Sequence, residues 1–496
     1  MNRDESLVVG VDVGTSGCKV LISDPIGNIK SESYVRFTTL RSQGDVVEQD
    51  AEEWWEGIVR AIRQAVGKLN GKGVEAISIS SQGISFIPVD GEGKPLRKAI
   101  SWLDIRARAQ VEELEREIGE SELYRLTGRR LNPSYVLPKL RWLAQREPQI
   151  MANANKILMC MDYLIWRLCG EMVTDHTLAS GTQLYDIKRR DWSESLLSIG
   201  GVSRDNLPTI LEAGTKVGKV KKEVAHLLGI GEEVEVIIGG QDQKCALFGT
   251  GEDDTCLFVS GGTCIAISRL TKDYLLPEDM SFSFCPYLFN HQWTLEGVIP
   301  TAGACLNWFA NNWDWGLNWA EIDSRISNAR ENSGLLFFPY LGGAGSPWWN
   351  EKSDGVIWGI TLSTNRADVL RSIVEGLCFE IKLNEELLER LVGRSEEVLF
   401  FGGLAGSKKM ASIMADVLNR KVKVPEMAEL VAVGAVKLAL LGIGFYNDYK
   451  DVNNNFLNQR HNEFLPNEEK VRLYDKLYSE YKIKAEYITG RKRWVT

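Results

Sequence analysis

Little in this chain points away from an ordinary globular protein. None of its nine cysteines pairs as Cys-x-x-Cys, which excludes zinc ribbons and small disulfide frameworks. Scattered and odd in number, the thiols fit a reducing compartment. There is no basic surplus either. The 58 lysines and arginines against 67 aspartates and glutamates leave a net charge of −9, which argues against a general nucleic-acid or anionic-membrane surface. No apolar run is long enough to span a bilayer; the longest, 430–445, contains Lys437 and several glycines and reads as a buried helix. Residues 1–6 lack the layout of a signal peptide, and low-complexity tracts are absent. A cytoplasmic protein is expected. A Gly-x-x-x-x-Gly-Lys-Ser/Thr string is missing too, which removes the Walker loop as a route to nucleotide binding.

What is present starts at Leu7. The run Leu7 to Val13 ends in Gly14-Thr15-Ser16-Gly17 and resumes as Cys18 to Ile22, which reads as strand, tight turn, strand. Such a turn can aim backbone N–H groups and the Thr15 and Ser16 hydroxyls at phosphate oxygens. Asp12, at the strand end, can hold hydrated Mg2+ beside them. Taken alone the segment is equally an ordinary hairpin. The run Leu257 to Ile267, turning at Gly261-Gly262-Thr263-Cys264, repeats the layout half a chain later. At 496 residues the chain exceeds what one core organises. Two similar halves are expected, 1–250 and 251–496, each with a phosphate-binding hairpin.

Between these landmarks, helical spacing marks 51–69, 156–169, 367–388 and 410–418, while 74–80 and 233–238 alternate as strands. Residues 447–462 are polar and read as an exposed excursion. A final helix, 468–488, carries Leu473, Leu477, Tyr478 and Tyr481 on a face that should dock.

Six motifs in order give the chain a resemblance to the FGGY carbohydrate kinases. They are Asp12-Val13-Gly14-Thr15 with Lys19, Gly239-Gly240-Gln241-Asp242-Gln243, Ser260-Gly261-Gly262-Thr263, Thr301-Ala302-Gly303-Ala304, Phe401-Gly402-Gly403 through Ser407, and Glu429-Leu430-Val431-Ala432-Val433-Gly434-Ala435. The resemblance implies an α/β fold of two ribonuclease H-like (actin-like ATPase) domains flanking a deep catalytic cleft. It implies ATP and Mg2+ as cofactors, and a small sugar or polyol as acceptor. Asp242 becomes the catalytic base and, with Asp12, a metal ligand; as residue types alone, the two are a helix cap and a turn aspartate. Gly14, Thr15, Ser16, Lys19, Gly262, Thr263 and Gly303 are implied phosphate contacts, with Gly402, Gly403 and Ser407 beside adenosine. For Lys19 a solvated strand position weighs equally. Arg371 and Glu375, in a stretch resembling the family's second signature, read as a salt-bridged structural helix face.

The substrate segment is implied by Trp102-Leu103-Asp104-Ile105-Arg106, where an acid and a base beside an indole can grip vicinal hydroxyls. Upstream, Gln82-Gly83-Ile84 stands where xylulokinases carry Gln-Met-His and glycerol kinases Gln-Arg-Glu, so glycerol is disfavoured. The missing side chain at Gly83 is expected to open room for a longer acceptor. Gly342 to Pro347 resembles glycerol kinases instead. A ketose kinase acting on a pentulose such as xylulose leads. An erythritol-type polyol kinase and a non-catalytic actin-like ATP- and sugar-binding module are the alternatives, and a homodimer is allowed.

Overall fold

The computed structural model describes residues 6–38, 41–69, 73–251, 253–313, 318–456 and 460–491. The chain forms two compact units. Unit 1 comprises Met1–Glu252, Cys285–Trp293 and Glu429–Asn458; unit 2 comprises Asp253–Phe284, Thr294–Ala428 and Gln459–Thr496. The expected second domain, unbroken from 251 to 496, is therefore corrected in two places. The chain returns to unit 1 at 285–293 and again at 429–458. Hydrophobic periodicity marks elements but not which core receives them, so these returns left no local trace.

In unit 1 the sheet runs Lys216–Lys219, Glu235–Gln241, Val74–Ser81, Leu7–Val13, Gly17–Ser23, Ile29–Arg36. Leu7–Val13 pairs antiparallel with Gly17–Ser23 and parallel with Val74–Ser81. Val74–Ser81 in turn lies parallel to Glu235–Gln241. The β-branched run Val8, Val9, Val11 and Val13 is wholly buried, as a strand covered on both faces requires. The sheet of unit 2 repeats this order. Trp293–Ile299, Ile265–Thr271, Cys256–Gly261, Glu397–Phe401 and Lys421–Pro425 are successive neighbours, with Cys256–Gly261 parallel to Glu397–Phe401. Both Gly-Thr turns thus join the first two strands of equivalent sheets, the actin-like arrangement.

The apolar run at 430–445 is the helix Leu430–Gly442, and its glycine has a packing cause. A Cβ on Gly434 would collide with the carbonyl of Cys245 in the helix Asp242–Thr250, so only glycine lets the two helices cross this closely. On the other side Ala432 meets Gly10 of the central strand.

Four element boundaries differ from the periodicity. Residues 156–169 split into a strand, Lys156–Met159, and a helix, Cys160–Cys169, because a continuous apolar run has no period to separate the two. Gly239 and Gly240 lie beyond the expected strand 233–238. They extend the strand Glu235–Gln241 through a register shift, with Gly239 pressed against the carbonyl of Ile79. The polar stretch after Phe445 contains a helix, Tyr449–Asn455, and a strand, His461–Phe464, paired to Lys421–Pro425. The last helix, Glu468–Thr489, buries Tyr474, Tyr478 and Tyr481 rather than Leu473 and Leu477. Two hydroxyls explain part of the choice: Tyr474 donates to Glu375 and Tyr481 to Glu380, both on the helix Arg366–Val392, while the ring of Tyr478 packs against Phe379. The Arg371–Glu375 pair closes at 2.7 Å, as the helix-face reading expects.

Candidate active site and nucleotide cavity

In unit 1, Asp12 ends the central strand and Asp242 opens the helix Asp242–Thr250. Oδ1 of Asp12 is sealed from solvent and has no hydrogen-bond partner. Burial, reinforced by the negative charges of Asp242 and Glu429, pushes the Asp12 carboxyl up to about 8. Three carboxylates therefore crowd one region, a situation a bound cation relieves. Among the described residues no group of three or more His, Cys, Asp or Glu side chains is placed to hold a metal by itself. Asp242 Oδ1 accepts from the backbone N–H of Gln243 and from Nε2 of Gln241, both at 2.7 Å.

The first Gly-Thr turn is held by side chains from three segments. Thr15 Oγ1 donates to Oε1 of Gln82 at 3.2 Å and accepts from the indole Nε1 of Trp102 at 2.9 Å. Gln49, which sequence reading missed, closes the ring: its Nε2 donates to the carbonyl of Thr15 and its Oε1 accepts from Gln82. A hydroxyl has one proton to give, and that of Thr15 goes to Gln82. Its expected donation to phosphate is corrected accordingly, and so is that of the Gly14 N–H, which donates to Gly17 O at 2.9 Å, leaving the backbone N–H groups of Thr15 and Ser16 as the face turned to a ligand. Of the two readings of Lys19, the strand position is the one it occupies. Its ammonium lies 3.0 Å from Glu32 and 3.1 Å from Glu429, an ion-paired strand position.

Gln82 and Trp102 are thus brought together with the turn, whereas Asp104 and Arg106 are not offered to a ligand. Asp104 is fully buried. Its Oδ1 accepts from the Arg106 backbone N–H, and its Oδ2 from the Val47 N–H and the Arg106 guanidinium. Arg106 also binds Glu48 and lies over the ring of Trp142. The pair folds this segment; with both carboxylate oxygens occupied, the hydroxyl-gripping role fails. Behind it, the buried ammonium of Lys139 donates to the carbonyls of Ser101 and Ser134 at 2.8 and 2.5 Å.

In unit 2 a cavity of about 340 Å³ is lined by Gly262, Thr263, Gly303, Leu306, Asn307, Trp319, Ile322, Gly403 and Leu404. The second Gly-Thr turn forms one wall and the start of the helix Gly303–Asn312 another. Here the helix is clamped to the turn. The N–H of Gly303 donates to Gly262 O at 3.0 Å, and that of Ala302 to Thr263 O at 2.9 Å. A Cβ on Gly303 would stand 2.5 Å from Gly262 O. Gly303 therefore shapes the cavity by close approach, and its N–H is not free for phosphate. Gly402, with φ +86°, turns the chain so that Gly403 and Leu404 face inward. Ser407 is corrected: it is 1% exposed, caps the helix Lys408–Leu418, and donates to Asp323 at 2.6 Å. Sequence reading missed Asn307, although its place one helical turn beyond Gly303 could have pointed to it. Trp319 had no motif; it is recognisable only by its packing against Gly406.

Residues 7–249 match the model for the N-terminal domain of the FGGY family of carbohydrate kinases, and 257–443 that for its C-terminal domain. The chain is 28% identical over 487 residues to a xylulose kinase of Lactococcus lactis, covering 96% of this chain and 95% of that protein. It is 31% identical over 460 residues to a glycerol kinase of Thermococcus gammatolerans, covering 90% and 91%. Its fold superposes on a ligand-bound xylulose kinase from Lactobacillus acidophilus with a TM-score of 0.91 at 24% identity, covering 98% of each chain. Among the described residues no helix is long and apolar enough to cross a membrane.

Proposed function

The chain belongs to the FGGY family of carbohydrate kinases, and from that premise we propose that it transfers the γ-phosphoryl group of ATP to a terminal hydroxyl of a ketopentose, xylulose first. The observation that carries the reading is the carboxylate of Asp242, held by two donors at a helix start beside the unpaired, buried oxygen of Asp12. Phosphoryl transfer asks the protein for positioning and charge stabilisation, and for a group to take the acceptor's proton. Asp242 takes that proton as the new O–P bond forms, and the N-terminus of its helix favours the ionised carboxylate beforehand. Gln82 and Trp102 border the acceptor side. The 102 indole offers an apolar face to the carbon chain, and its 37% exposure leaves that face accessible.

Mg2+ suits Asp12, whose orphaned oxygen and raised pKa both call for a cation, with Asp242 near it. When bound there it neutralises charge on the phosphate oxygens. In unit 2 the apolar walls of Leu306, Trp319, Ile322 and Leu404 suit a purine, and Thr263 and Asn307 supply polar contacts. The absence of any charge at Gly83 and Ile84 supports a ketose over glycerol. Nine free cysteines support a cytoplasmic setting.

The test is ADP release with D-xylulose, D-ribulose, erythritol, gluconate and glycerol as acceptors. D-xylulose is expected to give the highest kcat/KM. An equal or higher value with glycerol overturns the pentulose assignment.

A further inference from the structure

Gly83, Gln241 and Asp242 meet in unit 1 in a way that general base catalysis alone does not explain. Gln241 is the last residue of its strand. Its backbone N–H donates to Oγ1 of Thr177 at 2.8 Å, which fixes where the side chain starts. From there the amide reaches Oδ1 of Asp242, the oxygen that also accepts from the Gln243 N–H. On the way, the stem of Gln241 lies over Gly83. A Cβ added at 83 would come 3.1 Å from Cγ and 3.5 Å from Nε2 of Gln241. Gly83 is not among the residues with positive φ, so its backbone makes no demand for glycine. The demand is for space, and a side chain of this protein already occupies it.

We propose that Gln241 is a positioning residue for the transfer: its amide fixes the orientation of the Asp242 carboxylate, and Gly83 is the seat that permits it. The proposal rests on Asp242 as the base. The physical argument is rotational. A carboxylate at the first position of a helix turns about two bonds, and one backbone donor restrains it only partly. A second donor on the same oxygen, arriving from the opposite chain direction, narrows the orientations in which the acceptor's proton can be received. It follows that bulk at position 83 acts on catalysis through Gln241 rather than on acceptor size. The expected extra room at Gly83 is thereby corrected, because it is filled by Gln241.

The experiment is a double-mutant cycle of Gly83→Ala, Gln241→Ala and the two combined. It is read as kcat, acceptor KM and ATP KM with whichever acceptor gives the highest kcat/KM in the panel above. Loss of a hydrogen bond to a carboxylate predicts a fall in kcat of roughly ten- to hundredfold for Gln241→Ala, with ATP KM unmoved. Gly83→Ala should lower kcat by a smaller factor alone, and by under about twofold when Gln241 is already Ala, because coupled sites are not additive. Gln241→Glu, isosteric but unable to donate, should fall at least as far as Gln241→Ala. If the Ala variant does not fold, Gln241→Met keeps the stem and takes its place in the cycle. Additive effects overturn the proposal. So does a Gly83→Ala effect confined to acceptor KM, or full activity in Gln241→Glu. Asp242→Asn, measured in parallel, separates the two ideas: near-normal turnover there removes the base whatever the cycle gives.

Discussion

The turn Gly14-Thr15-Ser16 in unit 1 and the turn Gly262-Thr263-Cys264 in unit 2 join the same two strands of sheets with the same strand order, yet their threonines do different work. Thr15 is half-buried, and its hydroxyl is spent on Gln82 and Trp102, so the turn is welded to the acceptor side of unit 1. Thr263 is exposed to an open cavity, and its carbonyl anchors the first turn of the helix Gly303–Asn312. Around the first turn are carboxylates: Asp12, Asp242 and Glu429. Around the second are glycines and apolar side chains. A shared Gly-Thr pattern therefore specifies a backbone shape, and the neighbours decide whether that shape sits among carboxylates or beside a largely apolar cavity.

The sharpest way to break this comparison is a crossed pair of variants. Asp242→Asn in unit 1 should lower turnover by roughly a hundred- to ten-thousandfold, the scale of a lost general base, while ATP binding by calorimetry stays the same. Gly303→Ala in unit 2 should do the reverse. With its Cβ 2.5 Å from Gly262 O, the helix start must shift, and overpacking of about 1–3 kcal/mol should appear as raised ATP KM with acceptor KM held. If Gly303→Ala moved only acceptor KM, the division of labour would be wrong.

A second variant tests the fold of the acceptor side. Asp104→Ala strands the guanidinium of Arg106 and leaves the Val47 N–H without an acceptor. Breaking a buried pair from one side costs about 3–5 kcal/mol, so a large fall in Tm is expected. In the protein that remains folded, acceptor KM should change little. A steep rise in acceptor KM with unchanged Tm would return Asp104 to the substrate.

The smallest expected effect is a pair of opposite pH slopes. Burial, with Arg106 adding and Asp104 opposing, lowers Lys139 in unit 1 from 10.5 to about 7. Between about pH 7 and 10.5 the unfolded chain then binds the extra proton, so this group makes stability rise with pH. Burial raises Glu380 in unit 2 from 4.5 to about 7, against the donors Tyr340, Tyr481 and Trp348. Between about pH 4.5 and 7 the folded state binds the extra proton, so this group makes stability fall as pH rises. Lys139→Met should flatten the first slope and Glu380→Gln the second, in Tm measured across pH. Unchanged slopes would show that neither group titrates as its surroundings require.

Much of this was legible along the chain. Strand, turn and strand at Leu7–Ser23 and at Cys256–Thr271 follow from β-branched runs interrupted by glycine, a local signal that packing did not override. The strand end and helix start around Asp242 were legible in composition, while the base role proposed for it was implied by the motif order that resembles the family. The final helix was legible as a docked element, though not by which face. Tyrosines outcompeted leucines there because buried Glu375 and Glu380 needed donors.

Other features depend on residues far apart in sequence. Thr15, Gln82 and Gln49 form one ring that Trp102 joins from 87 positions away, and no spacing announces it. Sequence offered Asp104 and Arg106 as a pair two residues apart and could not say whether they would face a ligand or each other; burial decided for each other. Gly83 looked like vacant space until the stem of Gln241 was seen to fill it. Local pattern was enough for the strands around the two Gly-Thr turns, for several helix starts and for membership of a kinase family. Tertiary structure alone decided which polar groups remain available to a ligand. Availability depends on whether a donor or acceptor already has a partner, and those partners come from whichever segments the core brings alongside.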